Sequence, residues 1–414
     1  MESNRKTLVQ NTTMLYILNI TKLFLPLITL PYLTRILSTD CYGSVVFIKS
    51  LINYMQIIIE FGFMLSATKD IVNCNGDKEK INRVVSSTLL AKLMLAGCAF
   101  VILIVALITV DKTEYMTTYG LLSFVSVVLM IFLCDFFFKG IEKMQTITLR
   151  FLIMRSISTV FTFVLIKGDA DILWIPVLDI IGVSAAVLFV FRELKKEDIR
   201  LVKVPVAEAW LRIKSSFVFF LSTLSTTAFG ILNTFLIGVY LTETDTAYWG
   251  LVLQLVAAIQ AMYSPITDAS YPRMLKTKSA ATIKRILMIY MPIIVAGCLI
   301  IIFAGEPIIL IIAGKKYADA VYLLKYLVPV LFFSFPAMLL GWPVLGSIGK
   351  ASQVTVTTVI SAITQVTGLI VLALLNRFTL FDIVIVRNIT EFVLFLTRLI
   401  LCIINRDKFN KKTV

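Results

Sequence analysis

Twelve stretches of this chain are long and apolar enough to cross a lipid bilayer, and nothing else in the sequence restricts the fold as much. A crossing takes about 20 residues of helix. The predicted spans are 14–37, 43–65, 84–109, 117–138, 150–167, 171–191, 216–240, 247–268, 286–304, 321–345, 351–375 and 380–404. Backbone N–H and C=O groups cannot stay unpaired in lipid, so the spans are helices or one closed barrel. The runs lack the period-two alternation of barrel strands, which leaves helices. Composition agrees: 59% of the 414 residues are hydrophobic and 15% charged, with a mean hydropathy of +0.93. A soluble domain is roughly 25% charged. The expected fold class is an all-α polytopic membrane protein. After the ninth span, Glu306-Pro307 opens a second apolar run, expected either to extend that helix or to dip back into the interface.

Charge sets the orientation. Loops on the side of the termini hold 26 Lys and Arg, and the opposite loops hold five: Lys112, Lys167, Lys315, Lys316 and Arg377. Cytoplasmic loops carry the basic excess, so both termini are expected in the cytoplasm. The net charge of +14 is read in the same way, and no nucleic-acid partner is expected. The polar start has no short apolar region with a cleavage site, and no removable signal peptide is read there. The longest cytoplasmic connection, 192–214, is expected to link two six-helix halves, 1–205 and 206–414, either as a solvated linker or partly as an amphipathic surface helix.

Several chemistries are excluded. There is no histidine, hence no imidazole base, nucleophile or ligand. The six cysteines (41, 74, 98, 134, 298, 402) are scattered singly, so neither a metal cluster nor a disulfide framework is suggested. The phosphate-cradling loop of an ATPase is missing. No enzyme activity, metal or cofactor is expected.

The halves echo one another. The first external turn reads LSTDCYGSVVFIKSLINYMQ and the seventh-to-eighth turn LTETDTAYWGLVLQLVAAIQ, aligning Asp40, Tyr42, Gly43 and Gln56 with Asp245, Tyr248, Gly250 and Gln260. Internal repeats are frequent in secondary transporters.

Fourteen charges fall inside the predicted spans. Arg35, Asp135, Asp268, Lys325, Asp382 and Arg398 lie near span ends, where snorkelling or capping accounts for them. Lys22, Lys49, Lys92, Glu60, Asp179, Arg387 and Glu391 lie deeper, with Arg155 intermediate. Such charges are expensive in a bilayer and mark a pathway or a pair. Lys49, Asn53, Gln56 and Glu60 recur at i, i+4, i+7 and i+11, which makes one face of the second helix polar and places Asn53 and Gln56 on a cavity lining. Arg387 and Glu391 also fit an intrahelical pair. Glu60, Asp179 and Glu391 are the candidate ion-coupling groups, since an isolated carboxylate in low dielectric can take up a proton or cation. The alternative for the lysines is structural pairing with Glu60, Asp135 or Asp179.

Residues 24–71, FLPLITLPYLTRILSTDCYGSVVFIKSLINYMQIIIEFGFMLSATKDI, resemble the start of bacterial Wzx-type O-antigen flippases of the multidrug/oligosaccharidyl-lipid/polysaccharide exporter superfamily. The likeness is carried by PYLTR-x-L (31–37), the Y-G turn (42–43) and FGF-x-L-S-A-T-K-D-I (61–71), with YP-x-M (271–274) less specific. The resemblance implies two six-helix lobes around a central cavity. It implies transfer of an undecaprenyl-pyrophosphate-linked oligosaccharide between leaflets of the bacterial inner membrane, with H+ or Na+ as candidate coupling ions. The polymerase and chain-length regulator of the same pathway are candidate partners. A pyrophosphate needs cationic contacts when partly desolvated, so Lys22, Lys49, Lys92 and Arg155 are the candidate substrate-binding residues. Rival readings are another exporter of that superfamily, for a different lipid-linked glycan or a small molecule, and an O-antigen polymerase. The last would be expected to carry a large periplasmic loop, and external loops here are short.

Overall fold

The computed structural model describes residues 2–109 and 114–409; Lys112, Lys411 and Lys412 of the charge count lie outside the described residues. Helices dominate and no strand occurs among the described residues. In chain order the first nine are α1 (Glu2–Ile36), α2 (Thr39–Glu60), α3 (Phe63–Asn73), α4 (Lys78–Thr109), α5 (Glu114–Met130), α6 (Asp135–Gly140), α7 (Met144–Leu165), α8 (Trp174–Lys196) and α9 (Val206–Tyr240). They are followed by α10 (Glu243–Ala261), α11 (Ser264–Thr277), α12 (Ala280–Ala313), α13 (Val321–Tyr326), α14 (Val328–Leu339), α15 (Ala351–Leu374) and α16 (Leu380–Ile404). Ten helical stretches in the described residues are long and apolar enough to cross a membrane. Helix α16 occupies the twelfth predicted span, but Asp382, Arg387, Glu391 and Arg398 make it too charged to stand among those ten.

The predicted spans 43–65, 117–138, 247–268 and 321–345 are each broken into successive helices, and three further boundaries differ from the sequence reading. Helix α7 begins at Met144, six residues before the predicted fifth span at 150, because QTITLR continues the helix. Helix α12 runs unbroken through Pro292 and Pro307 to Ala313, so the second apolar run extends the ninth helix and does not turn back. The 192–214 connection is neither a solvated linker throughout nor a surface helix. Helix α8 reaches Lys196, α9 starts at Val206, and only 197–205 is left between them.

By internal contacts the chain divides into two compact units, Met1–Phe235 and Leu236–Val414. In the first, α1 packs along α7, α7 on α8, α5 on α8, and α2 on α4 and α5. In the second, α15 packs on α16, α14 on α16, and α10 on α14. The pairs α2–α5, α5–α8 and α7–α8 thus recur as α10–α14, α14–α16 and α15–α16.

The echo between the halves has a local physical basis. Ser38 caps α2 by accepting from the Cys41 N–H, and Thr242 caps α10 by accepting from the Asp245 N–H in a capping box. Each capped helix then breaks and resumes: α2 stops at Phe61-Gly62 before α3, and α10 stops at Met262-Tyr263 before α11. The aligned glutamines reach across in the same way. Gln56 Nε2 donates to Met130 Sδ at 3.9 Å, and Gln260 Nε2 donates to Ser334 Oγ at 2.6 Å. At the first break Gly62 has φ +76°, and a Cβ there would lie 2.7 Å from the backbone of Phe219. Only glycine allows both the left-handed turn and the close approach of α9.

The start of α9 is stitched into the amino unit by one face. Glu208 pairs with Arg83 at 2.7 Å, Arg212 Nη1 with Asp70 at 2.7 Å, and Ser216 Oγ with Ser66 Oγ at 2.6 Å. Arg212 Nε also donates to Ser87 Oγ. Phe220 stacks on Phe61 with ring centroids 4.3 Å apart. The spacing i, i+4, i+8, i+12 puts all four on one side of the helix.

Candidate functional site

Helix α2 separates its two faces cleanly. Phe47, Ile48, Leu51, Ile52, Met55 and Ile59 are buried, whereas Lys49 and Asn53 are exposed and Gln56 and Glu60 partly so. The polar stripe is therefore the open side of the helix. Asp179 and Arg155 are the charges that act on Lys49 through space.

Asp179, on α8, accepts from Ser158 Oγ at 2.7 Å and faces Arg155 Nη1 at 3.7 Å, both on α7. Arg155 keeps 43% of its side chain accessible, so this is a loose, open pair. Lys22, on α1, is exposed, with its Nζ 5.6 Å from the Phe151 ring centroid and Arg150 and Asp135 as its charged neighbours. Lys92 is different. Its side chain is 4% accessible, and its Nζ donates to both Glu60 carboxylate oxygens, at 2.9 and 2.8 Å, while lying 5.5 Å from the Phe136 ring centroid. That is the structural pairing weighed for the lysines from the sequence. Lys22 and Lys49 have no carboxylate within ion-pair distance among the described residues.

The sequence reading missed Arg150 because it was counted as a loop cation. With α7 starting at Met144, Arg150 is inside the helix and buried. Its Nε donates to Asp135 Oδ1 at 2.6 Å and its Nη2 to Oδ2, a two-pronged pair with the first turn of α6. Asp135, expected to snorkel or cap, is thus tied down. Buried Cys134 lies in the fields of this pair and of Lys92–Glu60, so the two pairs are neighbours. The missed signal was polar spacing: Thr146, Thr148 and Arg150 are all buried.

In the carboxyl unit Glu391 is buried and paired with Arg387 at 3.0 Å, one turn away on α16. Arg398, expected to snorkel, is buried instead. Its Nη1 donates to the Ala337 carbonyl at 2.7 Å, its Nε to Thr357 Oγ1 at 3.3 Å and its Nη2 to Thr358 Oγ1 at 3.1 Å. No group of three or more His, Cys, Asp or Glu side chains that could hold a metal ion occurs among the described residues.

Comparison with solved structures finds the same helical architecture. A lipid II flippase, MurJ, in an inward closed conformation superposes with a TM-score of 0.74 at 12% identity, covering 95% of this chain and 87% of that one. An inward-facing multidrug resistance MATE family transporter gives 0.65 at 16% identity, covering 91% and 95%. The fold is that shared by these two proteins. The profile of the polysaccharide biosynthesis protein family matches residues 8–278, and the chain belongs to that family. Two curated relatives are provisionally named O-antigen transporters. The one from Shigella dysenteriae is 25% identical over 314 residues, 75% of this chain and 78% of the relative. The one from Escherichia coli K12 is 24% identical over 352 residues, 80% and 82% of the two chains. The resemblance read from residues 24–71 is borne out, and the protein is a multi-pass membrane protein of the polysaccharide biosynthesis family.

Proposed function

We propose that the protein is a flippase that carries an undecaprenyl-pyrophosphate-linked O-antigen repeat unit from the cytoplasmic to the periplasmic leaflet of the inner membrane by alternating access. It does so with twelve crossings, lobes 1–205 and 206–414, and both termini in the cytoplasm. One observation carries the reading. Five cations deep in the spans of the amino unit (Lys22, Lys49, Lys92, Arg150, Arg155) face three carboxylates (Glu60, Asp135, Asp179). With Lys92, Arg150 and Arg155 each facing a carboxylate, the surplus of two positive charges is Lys22 and Lys49, both exposed. A pyrophosphate diester brings about two negative charges, which two unpaired, accessible cations match. Lys92 holds Glu60 in place, and Glu60, Asp179 and Glu391 remain the groups for proton or sodium coupling.

The test is deletion in the native host. Lipid-linked repeat units should accumulate in the cytoplasmic leaflet, and surface O-antigen should return with the wild-type chain and with Lys49→Arg, but not with Lys49→Ala. Accumulation in the periplasmic leaflet would point to a later step and overturn the proposal.

A further inference from the structure

The carboxyl unit contains a cavity of about 400 Å³ lined by Ser264, Thr267, Asp268, Tyr271, Met338, Trp342, Pro343 and Arg398. That lies within the range of about 300–1,000 Å³ usual for small-ligand sites. One wall is a single face of α11, since Ser264, Thr267, Asp268 and Tyr271 are spaced i, i+3, i+4, i+7. The other wall is the loosened turn after α14, residues 340–346, where Gly341 leaves helical geometry at ψ −115°. Trp342 on that turn is 56% exposed, and a Cβ on Gly346 would stand 3.1 Å from Trp342 and 3.7 Å from Tyr271, so glycine leaves room for both rings.

The polar ends in this cavity are unspent. Ser264 Oγ, the Asp268 carboxylate, Tyr271 Oη and Trp342 Nε1 make no hydrogen bond or ion pair within the protein among the described residues. Arg398 is rigidly anchored through three of its five N–H groups and has two left. It and Asp268 do not form an ion pair, so the cavity presents one fixed donor and one acceptor with opposite charges. An anion attracted by Arg398 meets Asp268, and a cation meets the reverse. An apolar chain would bury both without a partner. A neutral polyol bonds to both, and the ring faces of Trp342 and Tyr271 suit the C–H face of a pyranose.

We propose that this cavity is a glycan-binding subsite that takes a sugar of the transported head group. The proposal rests on the flippase reading. The test is calorimetric titration of the full chain in nanodiscs with two probes: the lipid-linked repeat unit extracted from the deletion strain, and sugar-free undecaprenyl pyrophosphate. Asp268→Asn and Trp342→Ala should each weaken binding of the repeat unit about tenfold, the scale of one lost hydrogen bond or ring contact. Both should leave the sugar-free lipid unchanged, and Trp342→Phe should restore most of the loss. If Trp342→Ala fails to fold, Asp268→Asn and Tyr271→Phe decide the matter. Equal weakening of both probes means that the cavity holds phosphate, and no weakening of either means that it holds no part of the substrate; each overturns the subsite and leaves the flippase reading intact. Failure of the wild type to bind either probe overturns both.

Discussion

The amino unit holds its span charges in pairs between helices, Lys92 to Glu60, Arg150 to Asp135 and Arg155 to Asp179, whereas the charges of α16 in the carboxyl unit are held otherwise. The pair Arg387–Glu391 is internal to α16, and Arg398 is held by a carbonyl and two hydroxyls. The helix pairs are repeated, but the means of burying charge is not. Charge pairs fix helices against each other, and removal of one partner strands the other in low dielectric. An arginine bound to neutral acceptors keeps its full charge and part of its donor set. The amino unit therefore couples the packing of its helices to charge balance, while on α16 the charge balance is kept within one helix.

The largest effect should follow from breaking the most enclosed pair. Asp135→Asn leaves Arg150, with 9% of its side chain accessible, facing a neutral amide. We expect a loss of about 3–5 kcal/mol, read as a lower thermal transition of the purified chain. The double variant Asp135→Asn with Arg150→Met should recover most of it. If the double is no better than the single, the pair does not hold α6 to α7.

The Lys92–Glu60 pair offers a sharper version, because its partners differ in burial: 4% for Lys92 and 32% for Glu60. Glu60→Gln leaves an almost fully buried ammonium unpaired and should lose about 3 kcal/mol. Lys92→Met leaves a carboxylate that can reach water and should lose only about 1 kcal/mol. Equal losses on denaturant titration would show that Glu60 is as enclosed as its partner.

Legibility in the sequence follows the range of the interaction. Spans and the open stripe on α2 depend on residues a few positions apart, so periodicity reveals them. The break at Phe61-Gly62 was not legible, since the predicted second span runs through it to 65, and its reason, the approach of Phe219, lies more than 150 residues away. The Arg387–Glu391 pair was legible at four-residue spacing, but distant partners were not, as where Arg212 meets Asp70 across 142 residues. Glu208 and Arg212 read as part of a polar connection and Ser216 as the start of the seventh span, although their four-residue spacing was the sign of a packed face. Arg398 looked like a snorkelling end residue, since nothing local shows that Ala337 and Thr357 enclose it.

In the carboxyl unit Arg398→Lys keeps the charge and discards the planar fork. An ammonium can meet the Ala337 carbonyl but cannot also span Thr357 and Thr358. Two lost hydrogen bonds predict a decrease of about 2 kcal/mol. Neutralising carboxylates elsewhere should not change that value, in contrast to the amino unit, and a double variant with Glu391→Gln checks it.

The smallest effect compares the same helix pair in the two units. On α8, a Cβ at Gly182 would lie 2.5 Å from the Met154 carbonyl oxygen of α7. On α15, a Cβ at Gly368 would lie 2.6 Å from Val386 Cγ1 of α16. Both contacts are too short, but they differ in what must give. At 182 the obstacle is backbone, so the whole of α7 has to move. At 368 it is the end of a short side chain, and Val386 needs only a small shift. Overpacking costs about 1–3 kcal/mol, while replacing a helical glycine by alanine returns about 1 kcal/mol. Gly182→Ala should therefore be destabilising by about 1–2 kcal/mol and Gly368→Ala close to neutral, measured as paired thermal transitions. The reverse order would mean that Val386, restricted in its rotamer as a β-branched residue in a helix, is the more rigid obstacle, and that α15 and α16 are locked more tightly than α7 and α8.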